Sequence, residues 1–184
     1  MKKILPILIV GILVISGLGA AALPDSEPEI LVKADSISFS KPVFEENGEY
    51  LSVDFEEVTS KLMKTGKPII PVVSKVFSFP VGTKIGNVDV KFDIEQYILS
   101  KKIQPSPKPV PMSMDLITDS FVFDVETYAS SDLYPSKPYS VQMGVGLKDG
   151  EHVLYLTVRC YAQYSPAMNV INIPENIDMQ IKYV

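Results

Sequence analysis

The chain contains one histidine, His152, and one cysteine, Cys160. Together these two side chains are the material for a thiolate-imidazole nucleophile, provided the base reaches the thiol. They stand eight residues apart in a segment that alternates polar and apolar residues. An even separation puts both on one face of a strand. At about 3.3 Å per residue they are then roughly 26 Å apart, so no Cys-His dyad forms within this chain. Cys160, close to Val158 and Tyr161, reads as a core position. One histidine and one cysteine also fall short of a zinc site with three or four His/Cys ligands. The sequence has no G-x-S-x-G elbow, phosphate-binding loop, G-x-G-x-x-G, HExxH or EF-hand loop. Gly144-Val145-Gly146 lacks a third glycine and reads as a bulge or turn. The acidic residues Glu45-Glu46, Glu56-Glu57 and Asp115/Asp119 follow no calcium-ligand spacing and read as solvated surface. Arg159 shares strand parity with Tyr161 and Gln163, which makes it solvent-facing or paired. The expectation is a chain with no catalytic set, no metal and no cofactor.

The framework holding these residues is bounded by composition. The chain has 184 residues, 17 basic and 22 acidic side chains, a net charge of −5, fifteen prolines and no tryptophan. A net acidic chain is poorly suited to nucleic acid, which needs clustered Lys and Arg. A single cysteine excludes an internal disulfide framework. At 46% apolar residues the chain can build a core.

Residues 1–22 read as an export signal. Lys2 and Lys3 form the positive n-region, Ile4 to Leu18 the apolar run, and Ala20 and Ala22 the small residues of the cleavage site. If the segment were retained, Ile4 to Leu23 is long enough to anchor the chain in a bilayer. Membrane contact is expected only through this segment. In both cases the rest of the chain is secreted or at the cell surface.

Residues 23–35 read as a flexible lead-in, and 36–184 as one domain of short strands. Ser36–Ser40 and Tyr50–Phe55 alternate with period two and are expected to pair across a turn at Glu45-Glu46-Asn47-Gly48, with Asn-Gly in type I′ geometry. Residues 55–64 fit one or two helical turns. Ile69–Phe79 is apolar but contains Pro71, which predicts an edge strand or a bulge. Val88–Asp93 alternates cleanly, and Tyr97–Leu99 leads into the next loop. Pro105 to Pro111 has proline at every second position and reads as a stiff crossover. Further strands are expected over Ser120–Tyr128, Tyr139–Gly144, His152–Gln163 and Ile177–Tyr183, with a short one at Val170–Ile173. Strands this numerous, with turn signals every ten to fifteen residues, predict an all-β fold. The expected form is an antiparallel β-sandwich, Ig-like or jelly-roll-like.

Several stretches resemble the N-terminal propeptide of gingipain-like (clan CD, family C25) cysteine peptidases. Gly66-Lys67-Pro68-Ile69-Ile70-Pro71-Val72 resembles its G-x-P-x-[LI]-P-V signature, and Phe79-Pro80-Val81-Gly82-Thr83 its P-x-G segment. Leu133-Tyr134-Pro135 resembles its LYP element. Tyr161-Ala162-Gln163-Tyr164-Ser165-Pro166 resembles the closing region, without that region's first proline. The resemblance spans residues 36–184. It implies a β-sandwich that follows a signal peptide, precedes a caspase-like catalytic domain, assists its folding and covers its active-site cleft until removed. The catalytic His and Cys would belong to that following domain, and His152 and Cys160 inherit no role from it.

The first functional expectation is therefore a zymogen prodomain, with the cognate C25-type catalytic domain as its partner in cis or in trans. A basic-specific peptidase has an acidic specificity pocket, which a lysine on an extended loop can fill. Lys101, Lys102 and Lys108, around the proline run, are the candidates; the simpler reading makes them solubilising charges. The second expectation is a cell-surface binding or adhesion module, resting on the same export signal and the tyrosine-rich strands.

Overall fold

The computed structural model describes residues 29–109 and 123–184. The expected export signal with Ala20 and Ala22, and the acidic residues Asp115 and Asp119, lie outside the described residues. Within them the chain is almost wholly β, in several mainly antiparallel sheets. The elements run β1 (Leu31–Ser38), β2 (Val43–Asn47), β3 (Tyr50–Asp54), β4 (Ser60–Leu62), β5 (Ile70–Pro80), β6 (Ile85–Ile98), β7 (Lys102–Ile103), α1 (Val125–Ala129), β8 (Tyr139–Lys148), β9 (Glu151–Tyr161), β10 (Gln163–Ser165) and β11 (Val170–Tyr183).

Glycine sets the two tight turns. Lys148 pairs with Glu151, and the two residues between them, Asp149 (φ 53°) and Gly150 (φ 86°), both take positive φ. This type I′ geometry matches strand twist and joins β8 to β9. At the β2–β3 hairpin Asn47 pairs with Tyr50, so the loop is Gly48-Glu49 and only Gly48 (φ 59°) is left-handed. A glycine at the first loop position gives type II′, one residue on from the expected Asn-Gly I′ turn.

That register corrects the expected pairing of Ser36–Ser40 with Tyr50–Phe55. Residues 43–47 fold back on β3 instead, and β1 pairs with β11 from Leu31↔Tyr183 to Ser38↔Asn176. The strand also takes in residues 31–35, part of the expected lead-in. Pairing with β11 orders this stretch, although Leu31, Val32, Lys33 and Ala34 are all exposed.

β11 is the axis of one sheet. Along one edge it pairs with β6, and along the other with β10 and then β1. The β6 ladder shifts register between Pro174 and Asn176, because Pro174 has no N–H to contribute. The Glu175 carbonyl turns instead to the Phe39 N–H at 2.9 Å.

A second sheet has the order β4-β5-β9-β8, and a third the order β2-β3-β7. Pro71 does not place β5 at an edge: β4 pairs with residues 70–72 and β9 from Val72 onward. The Ala162 N–H reaches the Pro71 carbonyl at 3.4 Å, but Pro71 has no N–H to return the bond, and the β9 ladder begins one residue later, at Val72. Residues 55–64 hold a turn and β4 rather than helical turns, since Leu62 and Lys61 pair with Ile70 and Pro71.

Two apolar clusters join the sheets. In one, Phe77, Phe79, Leu156, Val158 and Cys160 of the second sheet meet Ile177, Met179 and Ile181 of β11. Val88, Val90 and Phe92 of β6, the alternating face expected from the sequence, pack against this cluster. In the other, Leu51, Val53, Ile70, Val73, Ile103, Tyr164 and Ile171 bring all three sheets together.

Candidate functional site

Cys160 is buried, and burial pushes its thiol up to about 12. A protonated, covered thiol is not a nucleophile. His152 lies exposed at the far end of β9. The structure therefore keeps the two apart and assembles no Cys-His pair. Arg159 is exposed. Among the described residues no three His, Cys, Asp or Glu side chains stand close enough to hold a metal.

The region of interest is the loop that leaves β6, forms β7 and runs into the proline segment. Its first part is stitched down. β7 adds in parallel to β3 through Tyr50↔Lys102 and Leu51↔Ile103. The Gln104 N–H donates to the Leu51 carbonyl at 2.9 Å, and its own carbonyl accepts from the Ile69 N–H at 2.9 Å. The Ser106 N–H donates to the Lys67 carbonyl, and its carbonyl accepts from the Gly66 N–H, both at 2.8 Å. Gly66 makes this approach with φ 77°, a conformation open to glycine without strain. The proline run is thus laid along Gly66-Lys67-Pro68-Ile69, which the sequence singled out for a different reason. Pro107, Lys108 and Pro109 follow, all exposed; Val110 and Pro111 lie outside the described residues.

Buried tyrosines hold the loop's root. Tyr128, on α1 and only 1% exposed, donates its hydroxyl to the Ile103 carbonyl at 2.6 Å. The Tyr164 hydroxyl donates to Asn169 Oδ1 at 2.5 Å, and Asn169 Nδ2 donates to the Leu99 carbonyl at 2.7 Å. Burial pushes the Tyr164 hydroxyl up to about 12 and raises Tyr128 as well. Tyr134 exchanges backbone hydrogen bonds with Tyr164 at 2.8 Å. Its ring lies 5.6 Å below Lys67 Nζ, which also reaches Asp124 Oδ2 at 3.9 Å.

From Val125 onward α1 replaces the strand expected over Ser120–Tyr128, whose residues 120–122 lie outside the described residues. Asp124 caps it, its carboxylate accepting from the Thr127 N–H at 3.0 Å. That hydrogen bond, with Lys67 nearby, holds the Asp124 carboxyl below the usual carboxylate range. The apolar spacing of Phe121, Phe123 and Val125 mimics a strand, while Asp124 with Glu126 in the first turn was the available helix signal.

The three candidate lysines have different surroundings. Lys101 Nζ binds Glu46 Oε2 at 2.5 Å and donates to the Gly48 carbonyl at 3.0 Å, pinning it to the β2–β3 turn. Lys102 Nζ sits 5.8 Å from the Phe123 ring and 5.7 Å from the Tyr128 ring. Lys108 is exposed beyond the last stitched residue. Sequence reasoning grouped all three lysines and noted the many tyrosines, but gave Tyr128 and Tyr134 no place at the root, because the Ile103 carbonyl and the Tyr164 backbone that hold them lie 25 or more positions away.

Neither a protein-family profile nor a characterised protein sequence matches the chain. Solved structures do. One addresses zymogenic latency of gingipain K from Porphyromonas gingivalis; it matches with a TM-score of 0.68 at 22% identity, covering 88% of this chain and 96% of that one. Another is the complex of Porphyromonas gingivalis RgpB pro- and mature domains, with a TM-score of 0.64 at 16% identity, covering 82% of this chain and 77% of that one. At these identities the likeness is one of fold: the chain has the fold found in the gingipain K latency structure and in the RgpB complex.

Proposed function

We propose that the chain is the non-catalytic prodomain of a secreted gingipain-like cysteine peptidase, a folding helper and an inhibitor that keeps the enzyme latent. The carrying observation is the likeness, over most of the chain, to a structure concerned with gingipain zymogen latency. In this reading the sheets form an Ig-like β-sandwich, residues 1–22 direct export, and the partner is the cognate catalytic domain, in cis or in trans. Lys108 is the inhibitory residue. It stands exposed just past a segment held by backbone hydrogen bonds, whereas Lys101 and Lys102 are engaged within the chain. A preorganised loop loses little entropy on docking.

The test is inhibition of a gingipain-like, lysine-specific peptidase by the chain added in trans. Inhibition at submicromolar concentration is expected. Lys108→Ala removes a charge buried in the complex, which costs about 2–5 kcal/mol, or roughly 30-fold to several thousand-fold in inhibition. Lys101→Ala and Lys102→Ala should change it only a few-fold. No inhibition by the unaltered chain would leave the binding-module reading in its place.

A further inference from the structure

β8 is the last strand of its sheet, and among the described residues no strand pairs with its outer edge; one outward group is taken, the Leu147 carbonyl, which accepts from the Tyr155 hydroxyl at 3.0 Å. The ladder with β9 decides which residues face that edge. The Tyr161 N–H donates to the Pro138 carbonyl at 2.8 Å. Even-numbered residues of β8 therefore direct their backbone groups to β9, and Tyr139, Val141, Met143, Val145 and Leu147 direct theirs outward. These odd-numbered residues also pair in register with Cys160, Val158, Leu156, Leu154 and His152. Their side chains thus lie on the face that β9 buries with Leu156 and Val158. Yet Val141 is 39% exposed, Met143 59%, Val145 68% and Leu147 63%. The unpaired edge and the uncovered apolar row form one surface.

The outer strands β1 and β6 of the β11 sheet are guarded. On β1 the positions that pair with Ile181 and Met179 are Lys33 and Asp35. Lys33 Nζ covers the Phe79 ring at 5.0 Å, and Asp35 binds Lys75 at 2.7 Å. On β6 the alternate positions are Asp89, Lys91 and Asp93. Inward charges and charged edges block strand addition. β8 runs ten residues with no proline, and its one charge is the terminal Lys148.

We propose that β8 pairs antiparallel with β8 of a second copy, about a two-fold axis through Gly144. Val141 of one copy then faces Leu147 of the other, and Met143 faces Val145, so the whole apolar row is covered by itself. The free outward backbone groups of these residues form about six hydrogen bonds, and each Leu147 carbonyl, already engaged by Tyr155, can add one more through its second lone pair. Lys148 faces Ser140, so no like charges oppose. Asp149 and Glu151, exposed at the hairpin tip, reach exposed Lys137 at the start of the opposite β8. The two-fold repeats this charge match at both ends. The proposal is independent of the latency reading.

The test is cross-linking of the full chain. A side chain at Gly144 meets nothing within 4 Å. At the axis the two copies of residue 144 form a pair about 4.5 Å apart between Cα atoms, within disulfide reach. In Gln142→Cys the two thiols are four residues out of register, about 13 Å apart, and out of reach. Gly144→Cys is expected to give a disulfide-linked dimer on mild oxidation, and Gln142→Cys a monomer. Adding Val145→Lys, at an exposed site, should reduce the Gly144→Cys dimer at least tenfold with an unchanged circular dichroism spectrum. A monomeric Gly144→Cys, equal cross-linking of both cysteine variants, or no effect of Val145→Lys would overturn the proposal. So would loss of peptidase inhibition in Val145→Lys without any Gly144→Cys dimer, which would assign the edge to the peptidase.

Discussion

Tyr128→Phe removes a single oxygen from the root of the loop that carries Lys108. The ring keeps its stacking on Phe123, with centroids 4.2 Å apart, so packing is preserved. What goes is the 2.6 Å hydrogen bond from the phenol to the Ile103 carbonyl. Tyr128 is 1% exposed and Ile103 0%, so water cannot replace the lost donor. Weakening the satisfaction of such a buried acceptor costs about 1–3 kcal/mol. For a chain of this size each kcal/mol moves Tm by about 2–4 °C, so Tm should fall by roughly 2–12 °C. Urea denaturation followed by circular dichroism is the assay. The midpoint should drop while the slope stays constant, because the surface exposed on unfolding is unchanged. Tyr97→Phe is the control. Its hydroxyl bonds Glu95 at an exposed site, and its loss should stay within about 0.5 kcal/mol. Equal midpoints for the two variants would refute the view that the tyrosines clamp the loop's root.

Alkaline stability gives a second test. Burial holds the Cys160 thiol and the Tyr164 phenol up at about 12 from ordinary values of 9.0 and 10.0, and raises Tyr128 too. The folded chain therefore keeps protons that the unfolded chain releases, so stability is full below pH 9.0 and falls as pH rises toward 12. Urea midpoints across that range should decline, and Cys160 should resist thiol reagents until the chain unfolds; a flat profile would contradict the burial. Third, Gly150→Ala forces a side chain into φ 86° and should cost about 1–2 kcal/mol by thermal denaturation. Gly144→Ala, which meets open space, should cost less than half as much.

Much of the strand content was legible because it is written locally. Ile177, Met179 and Ile181 alternate with Asp178, Gln180 and Lys182, and all three apolar residues are buried. Asp149-Gly150 is a local feature of the same kind, an Asp-Gly pair that takes both positive φ angles at the β8–β9 turn. The partner of each strand was less legible. Nothing in Leu31–Ser38 names Asn176–Tyr183 as its mate, because pairing over such a distance depends on which other edges are already taken. The loop shows the same limit. Three lysines near a proline run look alike in sequence. Glu46 and the rings of Phe123 and Tyr128 distinguish them only once the chain brings those residues alongside.

The central place of β11 has a consequence for the order of events in time. The chain is made from its N-terminus, so β1 and β6 are synthesised long before the strand that joins them. Until Val170–Tyr183 arrives, the apolar faces of both lack their hydrogen-bonded neighbour. Contacts this remote in sequence slow folding and delay it. The first sheet therefore closes late, once its central strand has been made, whereas the β4-β5-β9-β8 and β2-β3-β7 sheets contain no residue of β11 and can pair before it.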